Sequence, residues 1–294
     1  MLKPIHRDVG LAMLCPILLL LTQAAAQPLA IDASQHFPIY PSGSPSTRPA
    51  DRPERDDGTG RFYVVSEPQL YVWPAKPGTS LGPAIIACPG GSYDHITMEA
   101  EGQRIAHWLN PMGITVFGLK YRTRPPSADV AADALADGQR AMRLVRSRAK
   151  EWNLDPNKIG MLGYSAGSNL VLNVASHFDL GKAHGEDAID LVNCRPDFVV
   201  LLSTWPNRQT LEAFPLRPDS PPTFIAIAKD DRTAPPPFTY EIKAKLDELK
   251  VPVTLYEAET GGHGAFHLDE PRANTGWKEP FLGWLGERGV LPRK

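Results

Sequence analysis

The apolar positions of this chain fall into two alternating patterns, and their alternation predicts the architecture. Ala84–Cys88 (AIIAC), Ile114–Leu119, Ile159–Leu162, Asp197–Leu202, Thr223–Ala228 and Val253–Tyr256 are short, nearly continuous apolar runs. Runs of strand length without polar alternation are expected of parallel strands covered on both faces. Between them the spacing lengthens to three and four. Ile105, Trp108 and Leu109 mark a helix over Met98–Asn110. Ala131, Leu135, Gly138, Met142, Val145 and Ala149 form one stripe on a longer helix after Pro125-Pro126-Ser127. Leu170–Phe178, a segment marked by Phe238, Ile242, Leu246 and Leu249, and Trp277–Leu285 predict three more helices. Strands alternating with helices require right-handed crossovers and a mainly parallel sheet. Phe62–Val65 and Leu70–Trp73, split by Glu67-Pro68, read as a strand pair forming an antiparallel edge. On the long helix, Asp129, Asp133 and Asp137 precede Arg143, Arg146, Arg148 and Lys150, an order that suits the helix dipole.

Composition adds boundaries to this picture. The chain has 294 residues, 42% hydrophobic and 22% charged, enough for one α/β domain with a full core. Lys3 and Arg7, the apolar run Leu11–Leu21 and the small residues Ala24-Ala25-Ala26 have the form of a secretory signal peptide over residues 1–26, cut before Gln27. That reading implies a periplasmic or secreted protein, with no membrane insertion after cleavage. Residues 27–60 carry repeated prolines without apolar periodicity and read as a linker or arm, so the catalytic domain is expected over 61–294. Loss of Lys3, Arg7 and Asp8 moves the formal charge from −2 to −3, which gives no electrostatic case for nucleic acid. Cys88 and Cys194 remain, and Cys88, ending a core strand, reads as a buried thiol.

The candidate chemistry sits at the predicted strand ends, where open α/β sheets place their sites. Gly163-Tyr164-Ser165-Ala166-Gly167 joins a strand directly to a helix. So sharp a turn needs small residues two positions either side of the serine, and it projects the hydroxyl outward. Ser165 is the candidate nucleophile, with the Ala166 N–H beside it as an oxyanion donor. A serine needs a base, and the base an orienting acid. His263, in Gly261-Gly262-His263-Gly264 just past the last strand, is preferred over His267 as base. Asp231 is preferred over Asp230 as acid, both following the Thr223–Ala228 strand. The loop Pro89-Gly90-Gly91-Ser92, after AIIAC, supplies Gly91 and Ser92 as further oxyanion donors. Tyr93 and Trp205 are placed at the mouth of the site, with Tyr121 near them. No H-E-x-x-H, C-x-x-C, P-loop or G-x-G-x-x-G after a strand is present. No metal or cofactor is expected.

Taken together, CPGGSYDHI (88–96), EGQRIAHWLNPMGITVFGLKYR (101–122), LGYSAGSN (162–169), AKDDRTAP (228–235) and GGHGAFHL (261–268) resemble the α/β-hydrolase superfamily. Within it they look most like the secreted bacterial esterases of plant cell-wall breakdown, the acetylxylan and feruloyl-esterase-like groups. The resemblance runs from about Arg61 onward. It implies an α/β-hydrolase fold with a minimal lid. It also implies a Ser165–His263–Asp231 triad, an oxyanion hole of Gly91, Ser92 and Ala166, and hydrolysis of acyl groups, most of all acetyl, from xylan through an acyl-enzyme. Feruloyl or small esters are the alternative. Asp231-Arg232-Thr233-Ala234-Pro235 nearly repeats the family's Asp-x-x-Val-Pro, with Ala234 for the valine, and Ser92 stands where a third glycine is usual. A serine exopeptidase on the same fold usually carries an aromatic and two glycines after the serine, where this chain has Ala166-Gly167-Ser168. A glycan-binding protein with a dead site, the rival from another class, would not need Ser165, Asp231 and His263 together.

Overall fold

The computed structural model describes residues 1, 31, 36–45, 52–75, 82–125, 127–182, 185, 187–268 and 273–292. The signal-peptide reading of residues 1–26 therefore lies outside the described residues, Met1 apart. Eleven described strands and five α-helices follow one another as β1 (His36–Pro38), β2 (Arg55–Asp56), β3 (Arg61–Tyr63), β4 (Gln69–Trp73), β5 (Gly82–Cys88), β6 (His95–Thr97), α1 (Arg104–Leu109), β7 (Thr115–Lys120), α2 (Val130–Ser147), β8 (Leu154–Tyr164), α3 (Ala166–His177), β9 (Val199–Leu202), β10 (Thr223–Ala228), α4 (Pro236–Glu248), β11 (Val253–Ala258) and α5 (Lys278–Glu287). Eight strands form one sheet in the order β1-β4-β7-β5-β8-β9-β10-β11. The pairs β1·β4 and β4·β7 are antiparallel and the rest parallel. This is the α/β-hydrolase fold.

Alternation along the strands divides the core between the two faces. Ile86 and Cys88 of β5 pack with α2, α3 and α4 through Met142, Leu170 and Ile242, whereas Ile85 and Ala87 face Ile105 of α1 and Phe281 of α5. Each such aliphatic side chain stabilises the fold by about 1.5–3 kcal/mol on burial. On the second face Trp108, Trp277 and Phe281 form an aromatic cluster, Trp108 and Trp277 meeting edge to face at 5.3 Å between centroids. Among the described residues no helix is long and apolar enough to cross a membrane.

The structure corrects four expectations. Residues 36–45 are not a linker: β1 adds a strand to the main sheet, Phe37 opposite Leu70, and Ile39 is fully buried. Prolines hid this strand because an edge strand needs donors on one side only. The Phe62–Val65 and Leu70–Trp73 segments do not pair. β3 joins β2 and β6 in a separate three-stranded sheet, and β4 joins β1 and β7. Between them Val64 takes φ 58° and the Val65 N–H donates to Thr123 Oγ1 at 2.9 Å, which turns the chain out of the first sheet. The helix expected at Met98 begins with a wide π turn, Glu99–Gln103, before α1. The buried face of α2 runs through Ala134, Asp137, Gly138, Ala141, Met142, Leu144 and Val145, while Ala131 and Leu135 are only partly covered.

Asp137 explains that rotation. It is fully buried and takes Arg122 Nε and Nη2, the latter at 2.7 Å, together with the Arg122 N–H at 2.9 Å. Arg122 further donates to Asp133 and to the Pro45 carbonyl. A charge on the core side of α2 is tolerable only because every donor of the guanidinium finds an acceptor. Asp129, by contrast, does what its position suggests and caps α2, accepting from the Ala132 N–H.

Candidate active site

The parallel strands deliver their carboxyl ends to one rim. Cys88 pairs with Gly163 and Tyr164 with Leu202, so β5, β8 and β9 end level. Ser165 follows β8 in a left-handed conformation, φ 53° and ψ −116°, and α3 begins at the next residue. A non-glycine residue held there costs about 1–2 kcal/mol, which the flanking strand and helix sustain. The two elbow glycines permit the turn: a Cβ on Gly163 would lie 2.3 Å from the Gly167 oxygen, and one on Gly167 would lie 1.8 Å from the Cys88 oxygen. Ala166 opens α3, so its N–H is one of the first-turn donors that the helical ladder leaves without a partner.

Ser165, His263 and Asp231 are brought together. His263 Nε2 lies 2.8 Å from Ser165 Oγ, and His263 Nδ1 lies 2.9 Å from Asp231 Oδ2 and 3.2 Å from Oδ1. Asp231 is buried, and its Oδ1 also accepts the N–H groups of Thr233 and Ala234, each at 2.9 Å. Burial opposes its charge, but the His263 hydrogen bond and those two backbone donors prevail and hold the carboxyl below its ordinary value. An ionised carboxylate only accepts, so it assigns the proton to Nδ1 and leaves Nε2 to accept from the Ser165 hydroxyl. Asp230 has a separate place: its two oxygens accept the Gly261 and Gly262 N–H groups at 3.2 and 2.8 Å. One carboxylate thus fixes the histidine's ring and its neighbour fixes the histidine's loop.

The Gly90–Tyr93 loop faces the elbow. Gly91 has φ 132°, and Ser92 and Tyr93 are both left-handed at φ 56° and 63°. The Gly91 carbonyl accepts from the Asp94 and His95 N–H groups, the Ser92 carbonyl from Arg124 Nη2, and the Tyr93 carbonyl from the Arg124 N–H. The Gly91 and Ser92 N–H groups donate to no backbone acceptor among the described residues. Tyr93 is not at the mouth. It is fully buried, donates to Asn169 Oδ1 at 2.8 Å and meets Tyr121 edge to face at 5.8 Å. Tyr121 is buried too and donates to the Pro89 carbonyl at 2.6 Å. The left-handed turn at Ser92 and Tyr93 directs that ring under the loop, which no side-chain pattern in the sequence reveals. Trp205 does stand at the site, half-buried, its N–H 3.3 Å from the Ser165 carbonyl.

His267, the alternative base, is engaged elsewhere. Its Nε2 lies 2.9 Å from Glu101 Oε1, and its ring stacks on Tyr164 at 4.2 Å between centroids. Sequence reasoning passed over Glu101. A signal was present: Met98, Glu101 and Ile105 share one helical face, and a carboxylate on an apolar face needs a buried partner.

The fold is that of the α/β-hydrolases, and Ser165, His263 and Asp231 stand in it with the geometry that a serine hydrolase's triad requires. More narrowly, residues 70–186 match the family model BD-FAE. Among curated relatives, endo-1,4-beta-xylanase B of Butyrivibrio fibrisolvens is 28% identical over 226 residues, covering 69% of this chain and 34% of that one. The acetylxylan esterase of Xylanibacter ruminicola is 36% identical over 106 residues, 35% of this chain and 22% of that one. The chain therefore spans about a third and about a fifth of these relatives' lengths. Among solved structures, the acetyl ester-xyloside bifunctional hydrolase of Caldicellulosiruptor lactoaceticus superposes with a TM-score of 0.72 at 28% identity, over 87% of this chain and 97% of that one. A propionate-bound esterase of Thermogutta terrifontis, at 21% identity, covers 78% of this chain and 92% of its own with a TM-score of 0.66, a likeness of fold.

Proposed function

We propose that this chain is a carboxylic ester hydrolase that removes acyl groups, chiefly acetyl, from xylan or its fragments. The observation that carries the reading is the unbroken hydrogen-bond chain Ser165–His263–Asp231 at the carboxyl rim of the sheet. As Ser165 Oγ adds to the ester carbonyl, His263 Nε2 takes its proton, and Asp231 stabilises the resulting imidazolium. The oxyanion is received by the Ala166 amide and by Gly91 and Ser92; each such donor is worth about 3 kcal/mol of barrier. The imidazolium then protonates the departing alcohol. Water, deprotonated by the same nitrogen, attacks the acyl-enzyme and frees the acid.

Three things support the carbohydrate ester in particular. Relatives named acetylxylan esterase and xylanase, and a structural neighbour named acetyl ester-xyloside hydrolase, share the sequence at 28–36% identity. The segment 203–222 beside the site has no helix longer than the one turn Leu211–Ala213, too little chain for a large covering lid. Trp205 offers an aromatic ring there for a sugar to stack on. Export, read from residues 1–26, fits a substrate too large to enter a cell.

The test is acetate release from acetylated xylan together with 4-nitrophenyl acetate cleavage, for wild type and Ser165→Ala. Both activities are expected in wild type and neither in the variant. Cleavage of the small ester alone would retain the triad and replace xylan by feruloylated or non-carbohydrate esters. Neither activity in wild type would overturn the reading.

A further inference from the structure

The second histidine–carboxylate pair lies outside the Ser165–His263–Asp231 chain, and it reaches the oxyanion loop. Glu101 is buried and spends its two oxygens in opposite directions: Oε1 on His267 Nε2 at 2.9 Å, Oε2 on the Gly90 N–H in a short hydrogen bond. Gly90 immediately precedes the Gly91 and Ser92 amides. The next peptide, which carries the Gly91 N–H, is held as well, the Gly90 carbonyl accepting the Thr97 N–H at 3.2 Å and the Thr97 hydroxyl at 2.9 Å. The loop is pressed against the elbow here: a Cβ on Gly90 would lie 2.9 Å from the Tyr164 carbonyl oxygen and 3.1 Å from Ser165 Cβ.

Glu101 itself is set by its neighbours. It sits in the π turn Glu99–Gln103, the kind of local widening that fixes a side chain at a functional position. His267 is stacked on Tyr164, the residue before the nucleophile, and the following carbonyl, that of Leu268, accepts from Arg104 Nη1. Arg104 Nε in turn donates to Glu99 at 2.9 Å. Three segments, the oxyanion loop, the π turn and the loop of the histidines, are thus joined through one carboxylate. A buried negative charge beside a forming oxyanion would oppose it, so an acid retained there needs a structural reason. Acceptance of the Gly90 N–H supplies one.

We propose that Glu101 is a positioning residue for the esterase reaction: as acceptor of the Gly90 N–H, backed by His267, it aims the Gly91 and Ser92 amides at the oxyanion. The inference rests on the esterase reading above. It is a statement about the transition state, because a misaimed amide loses most where charge develops.

The experiment measures kcat and KM for 4-nitrophenyl acetate and the inhibition constant of phenylboronic acid, whose tetrahedral adduct on Ser165 places a hydroxyl in the oxyanion hole. Wild type, Glu101→Ala, Glu101→Gln and His267→Phe are compared, with thermal melting of each. In Glu101→Ala, kcat is expected to fall about 100-fold with KM within about threefold, and the boronic acid constant to rise in step. Glu101→Gln keeps an oxygen for the Gly90 N–H and an amide for His267, and is expected within about fivefold of wild type. A merely structural glutamate would lower the active fraction and the melting point and leave the inhibition constant unchanged; that result overturns the proposal. So does a Glu101→Gln variant as impaired as Glu101→Ala. Should Glu101→Ala fail to fold, His267→Phe keeps the stack on Tyr164 and removes only the support of Glu101; a parallel change of about tenfold in kcat and inhibition constant is expected, and no change in either overturns the proposal. If wild type neither cleaves the ester nor binds the boronic acid, it is the esterase reading that has failed, before any variant is compared.

Discussion

His263 and His267 stand four residues apart on one loop, each with a ring nitrogen 2.9 Å from a carboxylate oxygen and each against the ring of Tyr164. They differ in what lies at the far end. Beyond the His263 ring is the Ser165 hydroxyl, so Asp231 acts through a group that can change its protonation. Beyond the carboxylate of Glu101 is a backbone N–H, which cannot be exchanged in catalysis and can only be held. On the proposed reading, the same pair of side chains makes a proton carrier in one place and a brace in the other. The order in the chain of contacts decides which: carboxylate, imidazole, hydroxyl in the first, imidazole, carboxylate, amide in the second.

Substitutions that remove one link at a time sharpen this contrast. Ser165→Ala or His263→Ala is expected to lower kcat about a million-fold, with little change in fold, measured on 4-nitrophenyl acetate. Asp231→Asn keeps the shape, yet its amide can present an N–H where Nδ1–H needs an acceptor; a fall of about ten-thousand-fold in kcat is expected. An Asn variant within tenfold of wild type would remove Asp231 from the triad. Next comes His267→Phe, with the tenfold loss already given: if it matched His263→Ala instead, the two histidines would share the proton work and the contrast would collapse. Asp230→Ala releases two exposed backbone bonds in the loop of His263 and is expected to cost about fivefold in kcat, by steady-state kinetics.

The smallest effect is on pH. Asp231 titrates below its ordinary value of 3.8 in the fold. A lowered carboxylate contributes stability that is present above the unfolded value and is lost as pH falls through the folded one. Wild type is therefore expected to lose melting temperature below pH 4 more steeply than Asp231→Asn, by differential scanning calorimetry. Equal slopes would mean that the Asp231 contacts do not stabilise its charge.

How far the residues alone disclosed this arrangement depends on whether a group acts along the chain or across it. Ser165, Asp231 and His263 stand on strand ends that could be ordered from apolar runs, and a sharp strand-to-helix turn has few sequence solutions. β5, β7, β8 and β10 announce themselves because both of their faces are covered. Tyr93 was misplaced because a left-handed pair at Ser92 and Tyr93 reverses the direction of its side chain, and side-chain size says nothing about φ. Glu101 and Asp137 were passed over or read as helix-end charges because their partners, Gly90 with His267 and Arg122, come from other elements. β1 was hidden for a similar reason: three residues among prolines have no periodicity, and only the partner strand β4 makes them a strand.

That three-residue strand has a practical consequence. A chain cut to begin at Arg61 would lack β1 and present β4, with Leu70, Tyr71 and Val72, as an open row of backbone donors and acceptors. It would also lose the Ile39 and Pro45 carbonyls that accept from Arg140 and Arg122. Such an edge invites another molecule's strand, so the shortened protein is expected to self-associate and precipitate where the longer one remains dispersed. Residues 36–45 are thus expected to guard the molecule against aggregation, and expression should start well before residue 36.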